Sequence, residues 1–355
     1  MNTVHIRNLS IPALRQMVLE SGEPEYRFRQ LATWLYARLC GDFESMTDLP
    51  RAYRERLASS CHISAASPAA IQESALDGTR KYLFEMTDGA RVEAVSMRYD
   101  DRTTLCVSSQ VGCPLDCVFC ETARGGFRRN LSAGEIIDQI CTLKADAGLE
   151  SKKVNIVFMG MGEPLLNVEA VTNAIRTLND PLGLNLGARR ITVSTSSFPE
   201  RIRALADSGV SCSLALSLNA PDDELRHRLM PKSSRFTIEE LLDAARYFVG
   251  TGKRRVTLEY VLLRGVNTSD DHARALGRLT RGQPFKLNLI PYNPGRRDPF
   301  ERMPEDELDR FVTILQPLAP AVTVRRSRGV DIDAACGQLW TKDMGDKARP
   351  VEGTA

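Results

Sequence analysis

Cys113-Pro-Leu-Asp-Cys117-Val-Phe-Cys120 decides the reading of this 355-residue chain. Three cysteines at CxxxCxxC spacing follow a strand-like run, Thr104-Leu-Cys-Val-Ser-Ser. Three thiolates on one tight loop reach three irons of a cubane cluster, because iron–sulfur clusters are held by cysteine thiolates. The fourth iron is then left without a protein ligand and open to a substrate or cofactor. Phe119 suits an aromatic ring packed over an adenine. A structural zinc site needs a closed set of four ligands. No CxxC or HxxxH partner follows, and His5, His62, His227 and His272 are scattered. Nine cysteines, several of them clustered, suit a reducing compartment and metal or redox work rather than a disulfide framework.

Outward from this loop, strand and helix patterns alternate. Strand-like runs cover 104–108, 154–159, 191–196, 212–218, 256–262 and 286–290. Helix-like runs at 133–147, 168–178, 199–208, 237–249 and 270–279 fall between them. Alternation of this kind predicts βαβ units around a parallel sheet. Six units are too few for an eight-fold barrel, so the expected fold is α/β, an open partial (β/α)6 barrel with its active site at the C-terminal ends of the strands. A helix at Glu305–Leu315 and a last strand from Ala321 follow, then Cys336 in a loop.

Residues 1–75 read as a small helical accessory domain. Ser10 caps a helix carrying Leu14, Met17 and Val18, and Phe28, Leu31, Leu35 and Leu39 share one face of the next, beside Trp34. Tyr53 and Leu57 continue a third helix after Pro50. Residues 76–103 hold a β-hairpin linker turning at Asp88-Gly89. Glu93 lies in its second strand, where a solvent-facing carboxylate is the default. The core is expected over 104–340, and the polar tail 341–355 is expected to be disordered.

Hydrophobic content of 43% and charged content of 26% are ordinary for a globular protein. No apolar run is long enough for a bilayer, and Met1–Arg7 lacks the apolar stretch of a secretory signal, so a cytoplasmic protein is expected. A net charge of +2 gives only weak bulk attraction to nucleic acid. RNA binding would fall to local clusters: Arg124, Arg128 and Arg129; Arg189 and Arg190; Lys253, Arg254 and Arg255; Arg296 and Arg297; and Arg325, Arg326 and Arg328. Each cluster alone is equally consistent with solvated loops and helix ends.

The CxxxCxxC spacing is that of the radical S-adenosylmethionine (SAM) superfamily. The runs Cys106-Val-Ser-Ser-Gln-Val-Gly-Cys113, Gly126-Phe-Arg-Arg-Asn-Leu131, Met159-Gly-Met-Gly-Glu-Pro-Leu-Leu-Asn167 and Asp331-Ile-Asp-Ala-Ala-Cys336-Gly-Gln-Leu339 closely resemble the RlmN/Cfr family of RNA methyltransferases. The resemblance runs from about Leu9 to Trp340, with the motifs in order. It implies a [4Fe-4S] cluster on Cys113, Cys117 and Cys120, and two SAM molecules per turnover. One SAM methylates Cys336; the other, on the cluster, is reductively cleaved to a radical that takes hydrogen from the methylated cysteine. The carbon radical adds to adenine, and Cys106 resolves the adduct through a disulfide. The same resemblance makes Glu93 the proton acceptor and places Gly162, Glu163, Ser194, Ser217, Leu218, Asn219 and Asn293 around SAM. Asn219 departs from the histidine usual in the family, and Glu121 stands where a small residue is usual; the sequence assigns Glu121 no role. Cys40, Cys61, Cys141 and Cys212 read as structural thiols.

Gly-Glu-Pro at 162–164 and Gly-Phe-Arg-Arg-Asn-Leu favour the RlmN members, which methylate carbon 2 of an adenosine in 23S rRNA and in some cases a tRNA adenosine. An electron donor such as flavodoxin or ferredoxin is implied, and no membrane. Two alternatives remain at this point: a Cfr-like carbon-8 methyltransferase, and a non-catalytic protein that holds RNA with a metal-stapled loop.

Overall fold

The computed structural model describes residues 3–148, 154–252, 256–295 and 299–340. The cluster Lys253–Arg255, the pair Arg296 and Arg297, and the tail 341–355 lie outside them. Among the described residues no helix is long and apolar enough to cross a membrane.

A ten-stranded sheet organises the molecule. Its strands are β1 (Ala66–Glu73), β2 (Arg80–Met86), β3 (Arg91–Arg98), β4 (Thr103–Cys106), β5 (Asn155–Phe158), β6 (Ile191–Thr195), β7 (Ser213–Ser217), β8 (Val256–Leu262), β9 (Phe285–Pro291) and β10 (Val322–Val324). Their spatial order follows their chain order. From β1 to β4 neighbours are antiparallel, and from β4 to β10 they are parallel. Helices Ala133–Asp146, Val168–Asn179, Pro199–Asp207, Ile238–Gly252 and Asp270–Thr280 connect parallel neighbours, as short crossovers require. The parallel part is the open partial (β/α) barrel that the alternation predicted, and a helical N-terminal part precedes it.

The N-terminal part differs in detail from its expected all-helical form. Ser10 does cap the helix Ile11–Glu20, its Oγ accepting from Ala13 N at 3.3 Å. Beyond the helix Arg51–Ser60, however, the chain enters β1. Ala66-Ser-Pro-Ala-Ala-Ile-Gln-Glu has little strand propensity and all but its first residue is exposed. It pairs because β2 offers an open edge, and the irregularity between Pro68 and Ala70 accommodates the proline. The hairpin β2–β3 therefore extends the barrel sheet instead of standing apart as a linker.

One apolar core runs from Ile6 and Leu14 through the barrel to Leu339. A buried ion pair seals the join. Asp138, fully buried on the helix Ala133–Asp146, accepts from Arg7 Nη1 at 3.2 Å and from Ala65 N at 2.7 Å, and His5 Nε2 lies 3.1 Å from it. That helix starts with a Ser132/Glu135 capping box. Its Gln139 brackets the exit of β4, accepting from Ser108 N and donating to Ser108 O.

Candidate active site

Beyond β4 the chain makes a short antiparallel pair, Gln110–Gly112 with Phe127–Asn130, and the cysteine loop is the excursion between them. Gly112 has φ +75°, and a Cβ there would sit 1.8 Å from the Gly126 carbonyl oxygen. Cys113 N donates to that same oxygen at 2.9 Å, so only glycine lets the loop leave the strand at this angle. Gly112→Ala is expected to cost about 1–3 kcal/mol and to lower the iron and sulfide bound per chain after anaerobic reconstitution. Wild-type iron content in this variant would show that the loop entry tolerates the shift.

Within the loop Cys113 is buried and Cys117 and Cys120 are half-buried. Burial pushes all three thiols up, and mutual repulsion between prospective thiolates raises Cys113 and Cys117 further. A bound cationic centre would relieve that cost. Among the described residues no three His, Cys, Asp or Glu side chains close around a single ion. Three thiols on one loop are the donor type that holds iron–sulfur centres.

Alongside lies the strand end 160–164. Gly160 lies against the Val107 carbonyl, where a Cβ would come within 2.8 Å, and Gly162 has φ +100° against Gln110. Glu163 is buried and engaged: Oε1 accepts from Leu165 N at 3.0 Å, and Oε2 accepts from Ser196 N at 3.0 Å and Ser196 Oγ at 3.2 Å. Burial raises its pKa, and these hydrogen bonds oppose the rise. Ser194 near the end of β6, Ser217 ending β7 and the buried Leu218 stand at the C-terminal ends of neighbouring strands. Asn219 is different. In left-handed backbone (φ 60°), it accepts from Val261 N at 2.9 Å through Oδ1 and donates to Met230 Sδ through Nδ2. Its amide joins β7 to β8.

The Cys336 loop closes over this rim. Asp331 accepts from Ser74 Oγ and Ala75 N, Asp77 accepts from Gly329 N, and Gln338 donates to Pro294 O. Two bonds tie the loop to the cysteine loop: Glu121 N donates to Gly337 O at 2.8 Å, and Thr122 Oγ1 to Leu339 O at 2.6 Å. Glu121 thus acquires a place, with its side chain paired to Arg124 at 2.8 Å. Glu93 is not solvent-facing. The loop covers it, and its carboxylate accepts from Trp340 N at 2.8 Å and pairs with Lys81 Nζ at 3.3 Å. Burial raises its pKa, against the pull of Lys81.

Cys106, at the end of β4, and Cys336 line one small cavity together with Met159, Asn293 and Arg325. Asn293 Oδ1 accepts from Arg302 at 3.2 Å. The expected disulfide is overturned: none of the nine cysteines is joined to another. Cys106 belongs to a sheet strand and Cys336 to a separately anchored loop, so the two face the cavity without bonding across it. The arginine beside Cys336 does not lower its thiol on balance. The thiol is open to the cavity yet crowded by protein, and that desolvation pushes it up to about 11 while Arg325 draws it down. Cys106 is pushed up to about 12 for the same reason.

The arginine clusters separate. Arg325, Arg326 and Arg328 follow β10 onto the cavity rim, whereas Arg189 and Arg190 precede β6 at the opposite end of the sheet. Arg129 is tied to Asp88 and Glu135. Sequence reading missed Gln110, Ser196, Lys81 and Glu259. For Glu259 the signal was a carboxylate in the middle of an apolar strand, Val256–Leu262.

Comparison with known proteins agrees with this geometry. A family described as Radical SAM superfamily matches residues 107–276, and one described as Ribosomal RNA large subunit methyltransferase N-terminal domain matches residues 4–63. The first brings SAM and an iron–sulfur centre as the chemistry of the fold. The chain is similar to a dual-specificity RNA methyltransferase RlmN of Geobacter sulfurreducens, 45% identical over 96% of this chain and 92% of that one. It is similar to another from Geotalea uraniireducens, 42% identical over 98% and 99%. The crystal structure of a radical SAM methyltransferase from Sphaerobacter thermophilus superposes with a TM-score of 0.91, at 45% identity over 95% of this chain and 99% of that one. Identity of 42–45% across nearly the whole length of both partners is a family relationship, and this chain belongs to the RlmN family of radical SAM methyltransferases.

Proposed function

We propose that the chain methylates carbon 2 of adenosine in 23S rRNA, with a tRNA adenosine as a second substrate, through a methylated Cys336. The observation that carries this reading is the single cavity shared by Cys106 and Cys336, roofed by a loop bonded to the cysteine loop. Carbon 2 of adenine is electrophilic and does not attack SAM, so the methyl group must first be parked on a nucleophile that the protein supplies.

Cys113, Cys117 and Cys120 hold a [4Fe-4S] cluster in this reading. When bound, the cluster and two SAM molecules per turnover supply the methyl group and the one-electron chemistry that activates it. Glu163 presents a buried carboxylate, already fixed by Leu165 and Ser196, to the ammonium of SAM, and Gly162, Ser194, Ser217, Leu218 and Asn293 form the rest of the SAM wall. Asn219 contributes shape, since its amide is committed to Val261 and Met230. Cys336 takes the methyl group and presents it to the adenine from its anchored loop. Cys106, on the facing wall, acts on the RNA adduct when product is released. Glu93 is the proton acceptor, its raised pKa suiting a base that must hold a proton once it has one. Residues 1–75 dock RNA, 76–103 carry Glu93 and 104–340 form the catalytic core. A flavodoxin or ferredoxin supplies electrons in the cytoplasm.

The test is anaerobic incubation with SAM, a reductant and unmodified 23S rRNA or tRNA, followed by digestion and mass spectrometry. 2-Methyladenosine is the expected product. 8-Methyladenosine would move the chain to the Cfr reading, and SAM cleavage without a methylated base would overturn RNA as substrate.

A further inference from the structure

Arg226 is sealed inside the molecule, fully buried on the helix Asp223–Leu229 with Leu225 and Leu229. Its guanidinium bonds two backbone carbonyls: Nη1 donates to Ser233 O at 3.0 Å and Nη2 to Ser196 O. Those carbonyls lie 37 residues apart in sequence, one in the turn that follows β6 and one in the turn Ser233–Arg235. Serine side chains tighten the same joint. Ser196 Oγ lies 3.0 Å from Ser233 Oγ, and Ser197 Oγ donates to Ser233 O at 2.7 Å. Ser196 in turn fixes one oxygen of Glu163, its N and Oγ both donating to Oε2. A path of hydrogen bonds thus runs from Arg226 through Ser196 to Glu163. The same segment also buttresses the cysteine loop. Leu229 O accepts from Val118 N at 3.0 Å, Lys232 N donates to Asp116 Oδ1 at 2.9 Å, and Lys232 Nζ donates to Pro114 O at 2.8 Å.

We propose that Arg226 is a positioning residue for SAM: it clamps the Ser196 turn to the segment that buttresses the cysteine loop, and thereby fixes the Glu163 carboxylate relative to that loop. This rests on reading Glu163 as the group that meets the SAM ammonium. A buried cation is costly when no carboxylate bonds it, and burial pulls the Arg226 guanidinium down to about 10. An apolar side chain would fill the same inward position without that cost, so packing does not account for an arginine there. The planar fork does what neither an apolar chain nor a lysine can: it holds two carbonyls at once in one geometry. Ser196 then presents its N–H and hydroxyl to Glu163 from a fixed place. That support matters because a binding group must sit within a fraction of an ångström of its working position, held by the residues around it.

The experiment is a double-mutant cycle read by SAM binding rather than turnover. Equilibrium dialysis with labelled SAM uses the anaerobically purified full chain with its iron–sulfur centre in place and no reductant, and iron content is measured for each protein. Arg226→Lys keeps a buried charge but cannot span both carbonyls. It is expected to weaken SAM binding about tenfold with iron content unchanged. Glu163→Gln is expected to weaken binding by a similar factor, and the double variant no further, because Arg226 acts through Glu163. Ser196→Ala removes only a hydroxyl. It should weaken binding in the wild-type background and not in Glu163→Gln, which reads the same path if Arg226→Lys fails to fold. Arg226→Lys binding SAM like wild type, or losses that multiply in the double variant as independent loosening would, overturns the proposal. Glu163→Gln binding SAM like wild type would instead remove the ammonium reading, and the proposal with it.

Discussion

Cys336→Ala loses RNA methylation by at least roughly 10³-fold, while the iron–sulfur centre, SAM binding and the fold persist. The size follows from removing the atom that carries the methyl group: when an obligatory nucleophile is lost, no neighbour makes up the rate. Cys106 is no substitute, because it is buried at a strand end and its thiol is raised still higher, to about 12. The fold should be indifferent. Cys336 is exposed, and its loop is held by Asp331, Gly329, Gly337, Leu339 and Trp340, none of which uses the thiol. Labelled methyl incorporation into RNA, measured beside iron content and thermal melting, separates the two effects. Methylation within tenfold of wild type would sink the covalent route. A lost melting transition would instead give the thiol a structural role that its contacts do not show.

The second large effect lies far from the chemistry. Asp138→Ala is expected to destabilise the chain by about 3–5 kcal/mol, because it leaves the Arg7 guanidinium buried without its counter-charge. Arg7 is 3% exposed, and its remaining partners are the carbonyls of Leu35 and Cys40. These satisfy N–H groups but do not cancel a charge. Asp138 also accepts from Ala65 N, so the joint between the N-terminal helices and the barrel loses a second anchor. The midpoint of urea unfolding should fall while the transition stays single, since one core spans the joint. The double variant Arg7→Met/Asp138→Leu should recover much of the loss, as replacing both charges by apolar groups removes the unpaired one. Two separated transitions in wild type would contradict a shared core. An unchanged midpoint in Asp138→Ala would show that water reaches Arg7.

Because the family acts on RNA, the position of the positive charges bears on where substrate meets the site. The arginines after β10 stand at the cavity that holds the thiols, and Arg189 and Arg190 stand at the far end of the sheet. Spacing along the chain does not separate these clusters, since each flanks a strand. Only the direction of the strand tells which end its neighbours occupy: residues after a parallel strand reach the catalytic rim, and residues before it do not.

What the sequence by itself determined is whatever rests on local chemistry. CxxxCxxC puts three thiols on one loop irrespective of the rest of the fold. Periods of two and 3.6 residues mark β4 to β10 and the helices between them, because each element buries one face along its own length. Ser10 announces a helix start through a bond only three residues long. The tertiary structure decided what depends on partners distant in sequence. Ala66–Glu73 is a strand only because β2 leaves an edge for it. Glu93 is buried only because residues some 247 positions later fold over it. Cys106 and Cys336 share a cavity, unbonded, because β4 and the C-terminal loop converge on one rim. Arg325 looks like one more basic residue until β10 brings it to the cavity that those thiols line. Burial and electrostatic coupling fall off over a few ångströms, and only the folded chain sets those distances.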